Sequence, residues 1–477
     1  MVASTSVPLT VKSQESFISF YRSLQLLQNI NRGTSRDRYE LIDRTYQREM
    51  DLSKENADAK AANKAGDPSR FQNITVPVVM PQVEAAVTHQ TSVFLTGDPL
   101  FSVVASAAFM KEALQLETIL ENNSIRGGWS RELMMFFRDG FKYNFAPLYV
   151  GWDQEVTYTP QTDLAVSTKE GIPKKVIWSG NTLRRLDPYN TFIDTRVSPS
   201  EFYKHGEFGG WTEMMSRIKL KSFIAALPDK ITSNIKPAFE SGMSTPSTAA
   251  VDTGAQNFYI PSINPAINAS EYKNSGTNWM RWAGMNSRGD RAPIDYKDAY
   301  EVTTLFAKVL PGEFHLKIPN QNTPQIYKLI IINHSHIIYA ELQTNAHGHI
   351  PIMVGAPLED GLDYQTKSLA TNGTPFQELA TTYMTSIIAS RRRAISDRVL
   401  YDPSKITKAA INSPNPSAKI PVKPSAYGTP LQEAVYAFPY REDQLAASMG
   451  QIQNIIALGN QLTGQNPVSQ GQFIKGN

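Results

Sequence analysis

Apolar positions in the first third of the chain recur at helical spacing. Over Glu15 to Asn31, Phe17, Tyr21, Leu24 and Leu27 or Gln28 fall on one side. Gly33 is expected to break that run. Thr34 or Ser35 can then cap a second helix in which Tyr39, Ile42 and Tyr46 share a face. Residues 49–66 are polar and alanine-rich, suited to an exposed helix or a connector. Pro77 to Thr96 reads as a helix with Pro81 near its first turn, stopped by Gly97-Asp98. Pro99 to Ala105 is a short strand candidate. Ala107 to Asn122 is helical again, with Phe109, Ala113, Leu116 and Leu120 in line. Trp129 to Tyr143 follows, presenting Trp129, Leu133 and Phe136 or Phe137.

The pattern then turns extended. Phe145 to Tyr158 and Lys174 to Ile193 alternate and are rich in aromatics, with Gly180-Asn181 as a turn. Met215, Ile218 and Phe223 predict a helix over Trp211 to Leu227. Ser241 to Pro293 is rich in Ser, Thr, Asn, Gly and Pro and reads as a long loop or linker. A β-rich block follows: Tyr300 to Leu310, Phe314 to Ile318, Ile326 to Asn333 and His336 to Leu342, with a hairpin turn at Asn333 to Ser335. Thr374-Pro375 is expected to start a helix through Arg398, striped by Leu379, Tyr383 and Ile387. Asp402 to Thr429 is proline-rich, and Arg441 to Leu462 is a last helix. The order predicts a mixed α+β chain of several structural units.

Composition narrows the function classes. A hydrophobic share of 41% against 19% charged residues suits a folded chain rather than a disordered one. The net charge of +3 over 477 residues is small. It lacks the basic excess of a free nucleic-acid reader and leaves little repulsion against self-association. The absence of cysteine excludes disulfides, thiolate zinc sites and cysteine nucleophiles, and fits assembly in a reducing cytoplasm. No apolar run approaches the roughly 18 residues of a membrane span, so no membrane partner is expected.

Candidate chemistry is sparse. Gly127-Gly128 and Gly209-Gly210 lack the Lys-Ser/Thr that completes a phosphate loop. No nucleophile elbow or zinc-protease pattern is present, and no cofactor or metal is expected. His334 with His336, and His347 with His349, are spaced to share a strand face. Each pair can chelate a cation or simply stand at a strand edge, and no third ligand is fixed by spacing. Arg391, Arg392 and Arg393 form the densest basic cluster. They suit either phosphate contact or charges near a helix C-terminus or subunit interface. Lys219 and Lys221 carry the same two readings. Trp129, Trp152, Trp178 and Trp211 read as core or interface anchors, while Trp279 and Trp282, in the loop-rich stretch, are candidates for contact with a partner.

One set of segments has a familiar order. Asn73-Ile74-Thr75-Val76-Pro77 leads into a helix with His89-Gln90, then Asp98-Pro99-Leu100-Phe101-Ser102-Val103. Arg126-Gly127-Gly128-Trp129, Asp139-Gly140-Phe141-Lys142-Tyr143-Asn144 and Val150-Gly151-Trp152-Asp153 follow. Leu186-Asp187-Pro188-Tyr189-Asn190-Thr191-Phe192-Ile193-Asp194 comes next, and Leu462-Thr463-Gly464 with Pro467 to Gly471 comes last. In this order the chain resembles the portal, or head-to-tail connector, proteins of tailed bacteriophages, especially short-tailed ones. None of these motifs is catalytic.

The resemblance implies a structural protein and not an enzyme. It implies a phage portal fold: a wing over 1–207 and 401–477, stem helices over 208–241 and 371–400, a β-containing clip within 242–370, and a crown largely missing after the wing. It implies a ring of about twelve subunits at one vertex of the virion capsid, assembled in the host cytoplasm. The implied partners are the major capsid protein, tail adaptor or connector proteins and, during packaging, the terminase. Double-stranded DNA would pass through without sequence reading during packaging and ejection. The other reading is a different virion component, such as a neck adaptor or internal head protein.

Overall fold

The structure is a computed structural model. It describes residues 5–47, 75–97, 99–158, 174–227, 229–240, 299–316, 321–344, 347–361, 366–395, 399–406, 421–428, 435–437 and 443–462. The chain is mixed α+β. Contacts divide it into two units, one of residues 1–49, 79–374 and 465–477, the other of residues 50–78 and 375–464.

The first unit is organised by a six-stranded antiparallel sheet. Its strands are β1 (Thr5–Ser6), β4 (Thr191–Ile193), β5 (Phe208–Ser216), β6 (Ala299–Val309), β7 (Gln325–Ile332) and β8 (His336–Leu342), in the spatial order β1-β8-β7-β6-β5-β4. Helix α1 (Val11–Gln47) lays Phe17, Tyr21 and Leu24 against Leu305, Leu329, Ile331 and Ile337 on one face. The opposite face carries Val302, Ile330, Ile332 and Ile338. Because both faces are covered, β7 reads as a nearly unbroken apolar run instead of an alternation. The β7–β8 hairpin turns through Asn333, His334 and Ser335, with Asn333 and His334 at positive φ (47° and 58°) and the Ser335 N–H donating to the Ile332 carbonyl at 3.2 Å.

Several expectations change here. The helix expected from Trp211 begins at Arg217, and residues 208–216 form β5, paired with β6 from Phe208↔Ala307 to Ser216↔Ala299. Of the expected Met215–Ile218–Phe223 stripe, Met215 is buried on the strand, Phe223 is partly buried in the helix after it, and Ile218 is 83% exposed. Gly210 also suits a strand, since a Cβ there would lie 2.2 Å from the Thr304 carbonyl oxygen. The sheet therefore joins strands from the stretches expected as wing (β1, β4), stem (β5) and clip (β6 to β8).

Helix α1 also runs through Gly33 without a break. A glycine inside a helix costs about 1 kcal/mol. Buried Phe17 and Tyr21 before it and Tyr39 and Ile42 after it outweigh that cost. Gly180-Asn181 is not a turn but lies inside β3 (Lys174–Arg185), opposite Asp153 and Trp152 of β2 (Ala146–Tyr158). β9 (Ile352–Gly355) completes that second sheet in the order β3-β2-β9. The stretch 99–105 enters no strand pairing, and Phe314 lies in a turn.

The remaining helices of this unit are α2 (Val79–Phe94), α3 (Met110–Arg126), α4 (Trp129–Tyr143), the short α5 (Phe202–His205), α6 (Arg217–Ala226) and α7 (Thr232–Glu240). α2 and the later half of α1 pack Val79, Val83, Val87, Tyr39 and Ile42 with Tyr143, Ile193, Trp211, Phe306 and Ile352.

Helix α8 (Leu369–Ile395) starts six residues before Pro375. Ser368, rather than Thr374, caps it: its Oγ accepts the Thr371 N–H at 3.0 Å. In the second unit, Ala380, Tyr383 and Ile387 of α8 pack with Val78 and with Ile452 of α9 (Asp443–Leu462). Tyr383 and Ile387 of the expected stripe thus face the core, whereas Leu379 is exposed and its neighbour Ala380 is buried in its place. The Val78 N–H donates to Gln377 Oε1 at 3.1 Å, and β10 (Val399–Tyr401) pairs with β11 (Val435–Ala437).

Candidate assembly interface

The motif residues of the first unit build a buried polar hub. Asp43 of α1 accepts from Lys142 Nζ at 2.5 Å, from the Tyr143 hydroxyl at 2.6 Å and from the Tyr189 hydroxyl at 2.6 Å. Burial alone would raise the Asp43 carboxyl. The Lys142 ammonium and the three donors outweigh it and hold the group below its ordinary value. Asp139 takes the Arg185 guanidinium in two hydrogen bonds. Here burial wins over the ion pair, and Asp139 is pushed up to about 6. Glu84 of α2 takes Arg138 of α4 in two bonds of 2.9 Å and also accepts from the Tyr46 hydroxyl. Asn144 ends α4 in the left-handed conformation (φ 54°). The D-G-x-x-Y-N segment is thus a joint that fixes α1, α2 and α4 to the following strands.

That joint carries an arm that does not bury its own apolar surface. Val93 and Phe94 at the end of α2 are exposed, as are Phe101 and Val104, the latter 94%. Phe109, Met110, Leu114, Leu116, Ile119 and Ile125 continue the exposure along α3. α3 buries one edge only, through Ala113, Asn123 and Ser124. Its orientation is nevertheless fixed. Gly128 (φ 63°) reverses the chain between α3 and α4, and a Cβ on Gly127 would come within 2.7 Å of the Asn123 carbonyl oxygen. Glu117 accepts the Val103 N–H at 2.9 Å, and Phe101 stacks edge-on against buried Trp129.

Large exposed apolar side chains gathered in one stretch of chain suit an interaction surface better than scattered single ones. Covering four such side chains would contribute about 6–12 kcal/mol before ordering costs. The sequence signal was available: α3 has apolar residues nearly all round, whereas a surface helix has one stripe. Only Ala113 of the expected Phe109–Ala113–Leu116–Leu120 line is deeply buried.

A second surface feature lies between α6 and α7. It is a cleft of about 690 Å³ with Ile224, Ala225, Ile235 and Phe239 in its lining and Arg217, Lys221, Lys230 and Lys236 around it. Lys221 was a sequence candidate and lines this cleft. Lys219, also exposed, donates its backbone N–H to the capping Ser216 Oγ at 3.3 Å and is not part of the lining. Arg217, Lys230 and Lys236 were not singled out, since they are scattered over 20 residues and only the α6–α7 turn gathers them. Arg391, Arg392 and Arg393 lie on α8, with their side chains outside the described residues. Trp279 and Trp282 lie outside the described residues altogether.

Of the other tryptophans, Trp129 and Trp211 are buried and Trp152 is exposed. Of the histidine pairs, His334 sits in the hairpin turn with Nε2 3.1 Å from Glu301 Oε2 and Nδ1 3.0 Å from the Tyr21 hydroxyl, and His347 Nδ1 accepts the His349 N–H at 3.0 Å. Among the described residues no three potential metal ligands cluster, and no helix is long and apolar enough to cross a membrane. No protein-family model matches this chain, and no curated protein matches it.

Proposed function

We propose that this chain is a structural subunit of a closed ring, the portal at one vertex of a tailed-phage capsid. The observation that carries the reading is the arm of residues 93–125, held rigidly yet leaving its apolar side chains uncovered. A lateral neighbour would cover it. The ordered set of motifs from Asn73 to Asp194 points to the same family, and the most compact of them build the Asp43–Asp139 hub that orients the arm.

In this reading the ring closes through two different surfaces on each copy, repeated around an axis. DNA passes along the axis without sequence reading. A nearly neutral subunit suits that task, because many tight phosphate contacts would retard movement and depend steeply on salt. Capsid protein, tail adaptor and terminase would dock on the outside and the two ends. Electron microscopy of the purified protein tests this directly. Annular particles with an open axial hole wide enough for a DNA duplex are expected. A monomer throughout the micromolar range overturns the reading.

A further inference from the structure

Among the described residues, β2 and β3 form a ribbon with open backbone on both outer edges. β9 pairs with β2 only from Ala146 to Tyr149, and the Val150 N–H donates to the Pro351 carbonyl at 3.0 Å. Alternate residues of a strand turn their N–H and C=O groups to the same edge. Trp152 is the next residue on that edge, and no described strand lies against it. On the far side the Arg185 N–H donates to Glu132 Oε2 at 2.8 Å. By the same alternation Leu183, Asn181 and Ser179 turn their backbone groups outward, and β3 is the last described strand of its sheet. The edges are ordered: Trp152, 63% exposed, donates Nε1 across the ribbon to Ser179 Oγ at 3.1 Å. No proline interrupts either strand, and the pairing stays regular up to a bulge between Glu155 and Val156. A long regular edge of this kind is a template for a further strand.

We propose that the open β2 edge of one copy pairs with the open β3 edge of the next copy, so that the sheet continues from subunit to subunit. This rests on the ring reading above and assigns one of its lateral contacts. Strand direction selects the occupant. β2 and β3 are antiparallel, so a copy carried round by the small rotation between ring neighbours brings its β3 antiparallel to the first copy's β2. That is the pairing the ribbon already makes within itself. The two edges differ, so the contact propagates in one direction instead of closing a two-fold dimer. The β3 strand is also continuous with the exposed arm, because α3 packs on it where Asn123 lies against Gly180. One neighbour therefore covers both surfaces. An extended peptide from another protein would fill one edge and leave the other open.

The chain has no cysteine, so introduced thiols report only on themselves. One variant carries Trp152→Cys on the β2 edge. Three others carry Ser179→Cys, Asn181→Cys or Leu183→Cys on the β3 edge. Residues opposed on paired strands lie within disulfide reach. Each variant alone should stay uncross-linked, because a head-to-tail contact keeps like edges apart. Mixed under mild oxidation, Trp152→Cys with one of the three partners should give a band of twice the chain mass on a non-reducing gel. Asn181→Pro removes one outward N–H and leaves the β2–β3 ladder intact. It should weaken association about tenfold in light scattering, with circular dichroism checking the fold. Beside wild-type rings, the absence of a cross-link in all three mixtures overturns this contact and leaves the ring reading standing. So does a folded Asn181→Pro protein that assembles normally, or cross-linking by Trp152→Cys alone. A wild-type protein that never forms rings removes the ring reading and this contact with it.

Discussion

The six-stranded sheet and the α3 arm belong to the same unit but treat apolar side chains in opposite ways. In the sheet, Leu305, Phe306, Leu329, Ile331 and Ile337 are wholly buried, with helices or strands over both faces. On the arm, Leu114, Ile119 and Ile125 are more than half exposed although α3 is well anchored at its two ends. β7 is the more apolar in sequence, yet α3 too carries Leu114, Leu116, Ile119 and Ile125. What separates them is whether the chain itself supplies a cover. The sheet region covers its apolar side chains within the chain, and the arm leaves many of its own exposed.

The largest test of this contrast is in the sheet. Phe306→Ala removes a ring packed against Tyr149 and Trp211. It should destabilise the protein by about 3–5 kcal/mol in urea unfolding. A cost below about 1 kcal/mol would show that the sheet is not the cohesive part.

The joint between the two regions should give a smaller, pH-dependent effect. Asp139 titrates at about 6 in the folded protein against 3.8 for the ordinary group, so the folded state holds its proton more tightly. Its share of stability is fully present below pH 3.8 and is lost as pH rises through about 6. That share amounts to about 3 kcal/mol at most. Asp43, Glu84 and Asp194 act oppositely: all are held below their ordinary values, so their share is lost as pH falls toward and through those lowered values. Asp139→Asn should therefore flatten the decline between about pH 4 and 6 in urea midpoints and leave the acid limb in place. An unchanged slope there would mean that Asp139 is not the titrating group.

The smallest effect on folding should come from the arm. Leu114→Ser with Ile125→Ser should change unfolding stability by less than about 0.5 kcal/mol, as expected of exposed positions. The same variant should assemble poorly in light scattering. Loss of stability comparable to a core variant would mean that the arm is covered within its own chain.

Much of the β block was legible in the sequence, and the site was far less so. Strands β6, β7 and β8 fall within about two residues of the expected limits, because β-branched runs bounded by Pro311-Gly312 and Asn333 to Ser335 leave few alternatives. Strand β5 differs from the expected helix because Met215, near the strand's end, falls at helical spacing with Ile218 of the helix that follows, and Gly209-Gly210 gave no warning without the partner strand in view. Among the candidate cations, Lys221 reached the cleft and Lys219 did not, a difference of half a helical turn that spacing alone does not weigh.

By itself the sequence determined the α+β class, the hairpin at Asn333-His334, the lack of thiol chemistry and the order of motifs, since each follows from local conformation or from composition. Only the tertiary structure decided that Asp43 and Asp139 meet donors far away in the chain, that β5 joins β6 in one sheet, and that the apolar residues of α3 stay uncovered. Burial and pairing are properties of what lies opposite a residue, and what lies opposite is set by contacts that no local pattern encodes.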